Sequence, residues 1–243
     1  MGQGLFHHRW FWRTGNIFSP FHNSYCDLAR LWLLPQAKKQ KTRLMVTGIC
    51  PAYLPNINYM AWGVTQGQVT LVTHNLYQKQ TFRNRTEIYG ANGKLKLTIP
   101  IAHTKNQGRQ IDDTVAIHYE SNWQKDHWKS LQSSYRSSPF FEFYEDDFYP
   151  YYHQKIEKLM DFNIALIKKI LSLLDAEVNL VIKGKVGEEF SDLIIAKKKI
   201  EKINPHYHQV FQSKYGFINN LSILDLLFNL GPQSLEYLIQ IKN

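Results

Sequence analysis

Tyr77-Gln78-Lys79-Gln80-Thr81-Phe82-Arg83-Asn84-Arg85, then Asn92-Gly93, then Leu95-Lys96-Leu97-Thr98-Ile99-Pro100-Ile101, is the stretch on which the reading of the first half turns. Asn92-Gly93 is the signal for a two-residue hairpin turn of the primed kind. Behind it Leu95, Leu97, Ile99 and Ile101 alternate with Lys94, Lys96, Thr98 and Pro100, the pattern of a half-buried strand. Ahead of it, an extended 77–85 puts Tyr77, Lys79, Thr81, Arg83 and Arg85 on one face and Gln78, Gln80, Phe82 and Asn84 on the other. Neither face is apolar. Three cations and a tyrosine in a row read as a surface that meets an anion, with arginine gripping phosphate or carboxylate. The other reading is an edge strand whose charges guard it against edge pairing.

Working outward, Met45 to Cys50 reads as a short first strand, and Pro51 to Tyr59, with two prolines four apart, as a stiff ordered loop. Residues 69–73 read as a buried strand and 111–119 as a further one, with Val115, Ile117 and Tyr119 in phase. Ser121 and Gln124 fit a capping box. The helix behind it stacks Trp123, His127, Leu131 and Tyr135 on one face and ends at Ser137-Ser138-Pro139. Eight aromatic residues fall within 140–152, with Glu142, Glu145, Asp146 and Asp147 among them. A helix over 153–175 carries Ile156, Leu159, Met160, Ile167, Ile170 and Leu174 on one stripe. Asn163 interrupts that stripe and needs a buried partner. A strand at 178–183, a helix at 187–200 and a final helix at 221–230, stopped by Gly231-Pro232, complete the pattern. The fold class is mixed α/β: an N-terminal β-rich sheet with a hairpin, then a mainly helical C-terminal half.

The 243 residues, 44% apolar and 20% charged, suffice for one large domain or two small ones with a sizeable core. No apolar run approaches the ~18 residues of a membrane span. The net charge of +9 is unevenly spread. Residues 1–44 hold Arg9, Arg13, Arg30, Lys38, Lys39, Lys41 and Arg43 against Asp27 alone, whereas 45–243 hold 22 basic and 19 acidic side chains. The first 44 residues therefore read as a basic extension without regular period, ahead of a globular part at 45–243. Either translation begins at Met45, or the segment is a basic arm for an acidic surface or nucleic acid. The balanced charge of 45–243 argues against nucleic-acid binding through Tyr77–Arg85. Cys26 and Cys50 make no disulfide framework and no CxxC pair, which fits a reducing cytoplasm. The ten histidines lack acidic or cysteine partners at ligand spacing, so no metal site is expected, and no motif names a cofactor. Nucleophile elbow, P-loop and dinucleotide glycine motifs are absent.

The sequence resembles the WbqC-like protein family of bacteria. The resemblance rests on Pro51-Ala52-Tyr53-Leu54-Pro55 with Tyr59, Tyr77-Gln78-Lys79-Gln80 with Arg83-Asn84-Arg85, and Ala91-Asn92-Gly93 with Leu97-Thr98-Ile99-Pro100. It continues through Trp123, His127-Trp128, Ser134-Tyr135, Ser138-Pro139-Phe140-Phe141, Tyr144 and the run Asn220 to Asn229 with Gly231-Pro232. It covers about 45–243. The family is associated with gene clusters for O-antigen and other surface polysaccharides. This chain departs from it at Ile49-Cys50-Pro51, where many members have a glutamine before the proline, so a role carried by that glutamine does not transfer.

The resemblance implies a setting in surface-polysaccharide synthesis rather than a reaction, and within that setting the residues read as those of a cytoplasmic transferase acting on a nucleotide-linked sugar or amino sugar. Lys79, Arg83 and Arg85 would neutralise the phosphates or those of another anionic small molecule. Tyr53 and Tyr77 would stack on a ring, and Asn75, Gln80 and Asn84 would read hydroxyls. His127 is the candidate general base, against its being a hydrogen-bonded core residue. Glu142 (or Asp146) would orient it or act alone, against ordinary surface solvation. The alternative is a non-catalytic binding or scaffolding protein of the same pathway, with the 140–152 aromatics as interface or carbohydrate platform rather than a plug between sheet and helices.

Overall fold

The computed structural model describes residues 47–102, 110–186, 188–189, 192–197 and 203–241. The basic N-terminal extension with Cys26, and part of the helix expected at 187–200, lie outside the described residues. In chain order the first elements are β1 (Thr47–Ile49), α1 (Ile57–Val64), β2 (Gln68–Val72), β3 (Arg85–Gly90) and β4 (Gly93–Thr98). There follow α2 (Trp123–Tyr135), α3 (Phe141–His153), α4 (Leu159–Leu173), β5 (Asn179–Lys183) and β6 (Glu188–Glu189). The chain closes with α5 (Gln212–Tyr215), α6 (Ile223–Leu230) and α7 (Ser234–Gln240). Strands dominate the first half and helices the second, the mixed α/β arrangement expected.

One sheet is parallel, in the order β5-β2-β1-β6. Parallel neighbours need a crossover, and α1 supplies it between β1 and β2. Its Asn56 N-cap accepts from the Tyr59 N–H through Oδ1 at 2.9 Å, a start signal inside the segment read as loop only. Gly48 lets the strands close up: a Cβ there would stand 2.3 Å from Val72 Cγ2 and 2.9 Å from Val186 Cγ2.

The hairpin is antiparallel β3/β4, in register from Arg85↔Thr98 to Gly90↔Gly93. Its turn is not the primed one expected. Ala91 and Asn92 have negative φ, and Gly93 alone takes the left-handed conformation, at φ 95°. Leu97 and Ile99 are buried as the alternation required, but Leu95 is exposed near the hairpin's end.

Residues 77–84 are not a strand. They run as turns, with Gln80 at φ 64°, and bury Thr81, Phe82, Arg83 and Asn84 in succession, so the two-faced cationic strand does not exist. Alternation failed because Arg83 has a partner far along the chain. Likewise 111–119 is a 3-10 turn at Asp112–Thr114 followed by isolated bridges from Ala116 and Ile117, although Val115 and Ile117 are buried as phased.

Helix α2 buries Trp123, His127, Leu131 and Tyr135 as expected. It lacks the capping box: Asn122 is the N-cap, and Gln124 Nε2 donates to the carbonyls of Tyr151 and Gln154. The single helix read over 153–175 is interrupted. The Tyr119 hydroxyl donates to the Ile156 carbonyl and accepts from its N–H, holding the residues between α3 and α4 out of helix. The aromatic run divides by face. Phe141, Phe148 and Tyr152 are buried, with Phe141 and Phe148 edge-on to Phe228 of α6, while Phe143 and Tyr149 are exposed. Beyond β5, a two-residue strand and a 3-10 turn at Asp192–Ile194 replace the described part of the 187–200 helix. Helix α6 ends at Gly231, at φ 54°, where a Cβ would strike the Phe140 ring at 2.5 Å. Another short helix, α7, follows that stop.

Candidate functional site

In open sheets of parallel strands, ligands bind beyond the carboxyl ends of the strands. Here β1 leads into Cys50, β2 into Thr73-His74-Asn75 and β5 into Gly184. Backbone hydrogen bonds tie these ends together: Thr73 N–H to the Lys183 carbonyl at 3.1 Å and His74 N–H to the Gly184 carbonyl at 2.8 Å. Tyr77 N–H donates to the Gln110 carbonyl and Asp112 N–H to the Asn75 carbonyl, each at 2.8 Å. The sheet edge thus gathers side chains from four separate stretches of sequence.

At its centre Arg83 Nε donates to Asp112 Oδ2 at 3.0 Å, the side chains being 1% and 0% exposed. The Cys50 thiol donates to the same oxygen at 3.5 Å. Burial pushes the Asp112 carboxyl up, against the pull of Arg83 and the thiol. The Tyr77 hydroxyl is pushed up to about 12 by burial, with Arg85 and Arg83 drawing it down and Asp112 and Cys50 raising it. Five charged or polar groups therefore share one field. Within it Arg83 is neutralised by Asp112. Arg85 is half-buried at the start of β3, and its Nε is buried without a hydrogen-bond partner among the described residues. Beside this pair Asp113 Oδ2 accepts from His74 Nδ1 at 2.9 Å, both side chains being partly exposed.

Of the expected binding residues, Asn75, Tyr77, Arg83 and Arg85 come together here. Lys79 and Gln80 lie on an exposed turn. Asn84 is buried, its Nδ2 donating to the Ile99 carbonyl at 2.9 Å, so it clamps β4. Tyr53 and His127 form a different cluster. The Tyr53 hydroxyl bonds His127 Nδ1 at 2.9 Å and the Tyr152 hydroxyl at 3.0 Å, and its ring stacks on the imidazole. Trp123 meets that imidazole edge-on, and the ring also bonds the Thr98 backbone. Burial pulls the His127 pKa down to about 4, so the ring is neutral at ordinary pH. This is the setting of a hydrogen-bonded core histidine. Glu142 is exposed in the first turn of α3, away from any bond with His127.

Sequence reasoning missed Cys50, His74, Asp112 and Asp113 as site residues. The adjacent acids Asp112-Asp113 were a visible signal; which basic group each would meet was not. Among the described residues, no group of three or more His, Cys, Asp or Glu is placed to hold a metal ion, and no helix is long and apolar enough to cross a membrane.

Residues 50–200 and 187–237 match the model of the WbqC-like protein family, a span that contains every residue of the cluster. The chain belongs to the WbqC-like protein family. No curated protein and no solved structure matches it. For this family member the sheet-edge cluster is the candidate site, because among the described residues it combines the matched Tyr77–Arg85 motif with convergent polar groups in one field.

Proposed function

We propose that this WbqC-like protein is a transferase of surface-polysaccharide synthesis, of the O-antigen kind, acting in the cytoplasm on a nucleotide-linked sugar or amino sugar. The observation that carries the reading is the inequality of the two arginines. Asp112 already neutralises Arg83, whereas the buried Nε of Arg85 has no acceptor among the described residues, and its guanidinium charge acts on the Tyr77 hydroxyl. A diphosphate would supply the missing acceptor and charge. Arg83 and Asp112 then set the position of the Arg85 stretch, and Asn75 and Tyr77 border the sugar.

The full chain, screened by thermal shift against nucleotide sugars, free nucleotides and pyrophosphate, should be stabilised by the diphosphate-bearing ligands. Arg85→Ala should abolish that stabilisation without lowering the melting temperature of the free protein. Stabilisation that survives Arg85→Ala would move the anion elsewhere. A scaffold role draws support from Phe143, which is 77% exposed at the start of α3. Ligand-free behaviour throughout the screen would favour it.

A further inference from the structure

A site that transfers a group to a hydroxyl or amine must also take a proton, and neither the arginines nor Asp112 is suited to do so. Arginine stays protonated, and the Asp112 carboxylate is enclosed by Arg83 and Cys50. His74 is placed differently. It lies two residues past the end of β2, at the same carboxyl edge, with its N–H fixed to the Gly184 carbonyl. The neighbour of the residue that holds Arg83 holds His74: Asp112 turns inward to the guanidinium and Asp113 outward to the imidazole. The 3-10 turn at Asp112–Thr114 makes that division possible, since consecutive side chains there leave the backbone in different directions.

We infer that His74, oriented by Asp113, is the general base of the site, taking the proton of a substrate hydroxyl or amine at Nε2. The inference rests on the anion-site reading above. A carboxylate only accepts hydrogen bonds, so the ring proton sits on Nδ1 and the neutral ring keeps its lone pair on Nε2. When Nε2 takes the substrate proton, the imidazolium charge is balanced by the Asp113 carboxylate. With the two side chains 42% and 38% exposed, the proton then leaves to water. His127 offers no such path: its Nδ1 is engaged by Tyr53 and its ring is buried.

The test uses the full chain and pyrophosphate as the probe. Imidazole 15N correlation spectra should show the His74 proton on Nδ1, and on Nε2 in Asp113→Asn, whose amide can donate to Nδ1. Diethyl pyrocarbonate, mapped by mass spectrometry, should modify His74. Pyrophosphate at about ten times its Kd should slow that modification about tenfold in the native chain, and not in Arg85→Ala. A native proton on Nε2 overturns the inference. So does pyrophosphate that binds through Arg85 yet leaves His74 modification unchanged, an outcome that spares the anion site. Pyrophosphate that does not bind overturns the anion-site reading, and the inference with it.

Discussion

Asp112 and Asp225 are both fully buried carboxylates, and the chain accommodates them in opposite ways. Asp112 faces a guanidinium. Asp225, in α6, takes hydrogen bonds from the Tyr207 hydroxyl and from Gln209 Nε2 at 2.9 Å, with Tyr135 as a further donor. Burial raises it to about 6 despite those donors. Neutral donors solvate a carboxylate without cancelling its charge, so Asp225 remains costly when ionised. The contrast follows location. The charged pair lies at the carboxyl ends of the parallel strands, where it is closed off from solvent. The neutral cage instead ties the irregular stretch around Tyr207 and Gln209 to α6, and Tyr89 extends it by donating to the carbonyls of Phe211 and Gly216.

The largest expected effect comes from breaking the charged pair. Arg83→Ala leaves Asp112 buried and unpaired and should cost about 3–5 kcal/mol in urea unfolding, while Arg83→Met combined with Asp112→Leu should recover most of that. A double variant as unstable as the single would mean that packing, not charge, sets the cost.

The neutral cage should show itself through pH. Asp225 has a folded pKa above its unfolded one, so the folded state binds more protons between pH ~4 and 6 and stability falls as pH rises through that window. Asp225→Asn removes the slope and should gain about 2–3 kcal/mol relative to the native chain on going from pH 4 to 7. His127 provides the opposite sign. Its folded pKa is depressed to about 4, so its contribution is present above pH ~6.5 and is lost as pH falls toward 4. His127→Gln should therefore flatten the acid limb that Asp225→Asn steepens. If both variants flatten the acid limb the Asp225 assignment fails, and if both steepen it the His127 assignment fails. A smaller effect separates donor from charge: Tyr207→Phe should cost about 1–2 kcal/mol, and more at pH 8 than at pH 4, because an ionised Asp225 needs the donor more.

The sequence made parts of this legible because periodicity reports burial. The α2 face, the buried β2, β5 and the stripe of α4 all follow from residue spacing, and Asn163 was identifiable as a polar intruder needing a partner. Spacing failed where a long-range contact overrode it. Arg83 and Asp112 are 29 positions apart, and His74 and Asp113 are 39 apart. No local pattern distinguishes an arginine that meets a buried carboxylate from one on a solvated edge. Residues 77–84 thus bring Tyr77 and Arg83 to the carboxyl ends of the strands as turns, not as the strand that alternation suggested. His127 shows the converse: its helix face was read correctly, and that face is what buries it.

Asn163 has one consequence for how a ligand would be met. Its Nδ2 spends both hydrogens on backbone carbonyls, those of Pro51 at 3.1 Å and Arg83 at 2.7 Å. The turn after β1 and the turn bearing Arg83 are thereby indexed to the same point on α4, before any ligand arrives. Little conformational entropy then remains to be lost on association. Recognition at this edge should resemble a key entering a cut lock, with binding enthalpy retained as affinity rather than spent on ordering the loops.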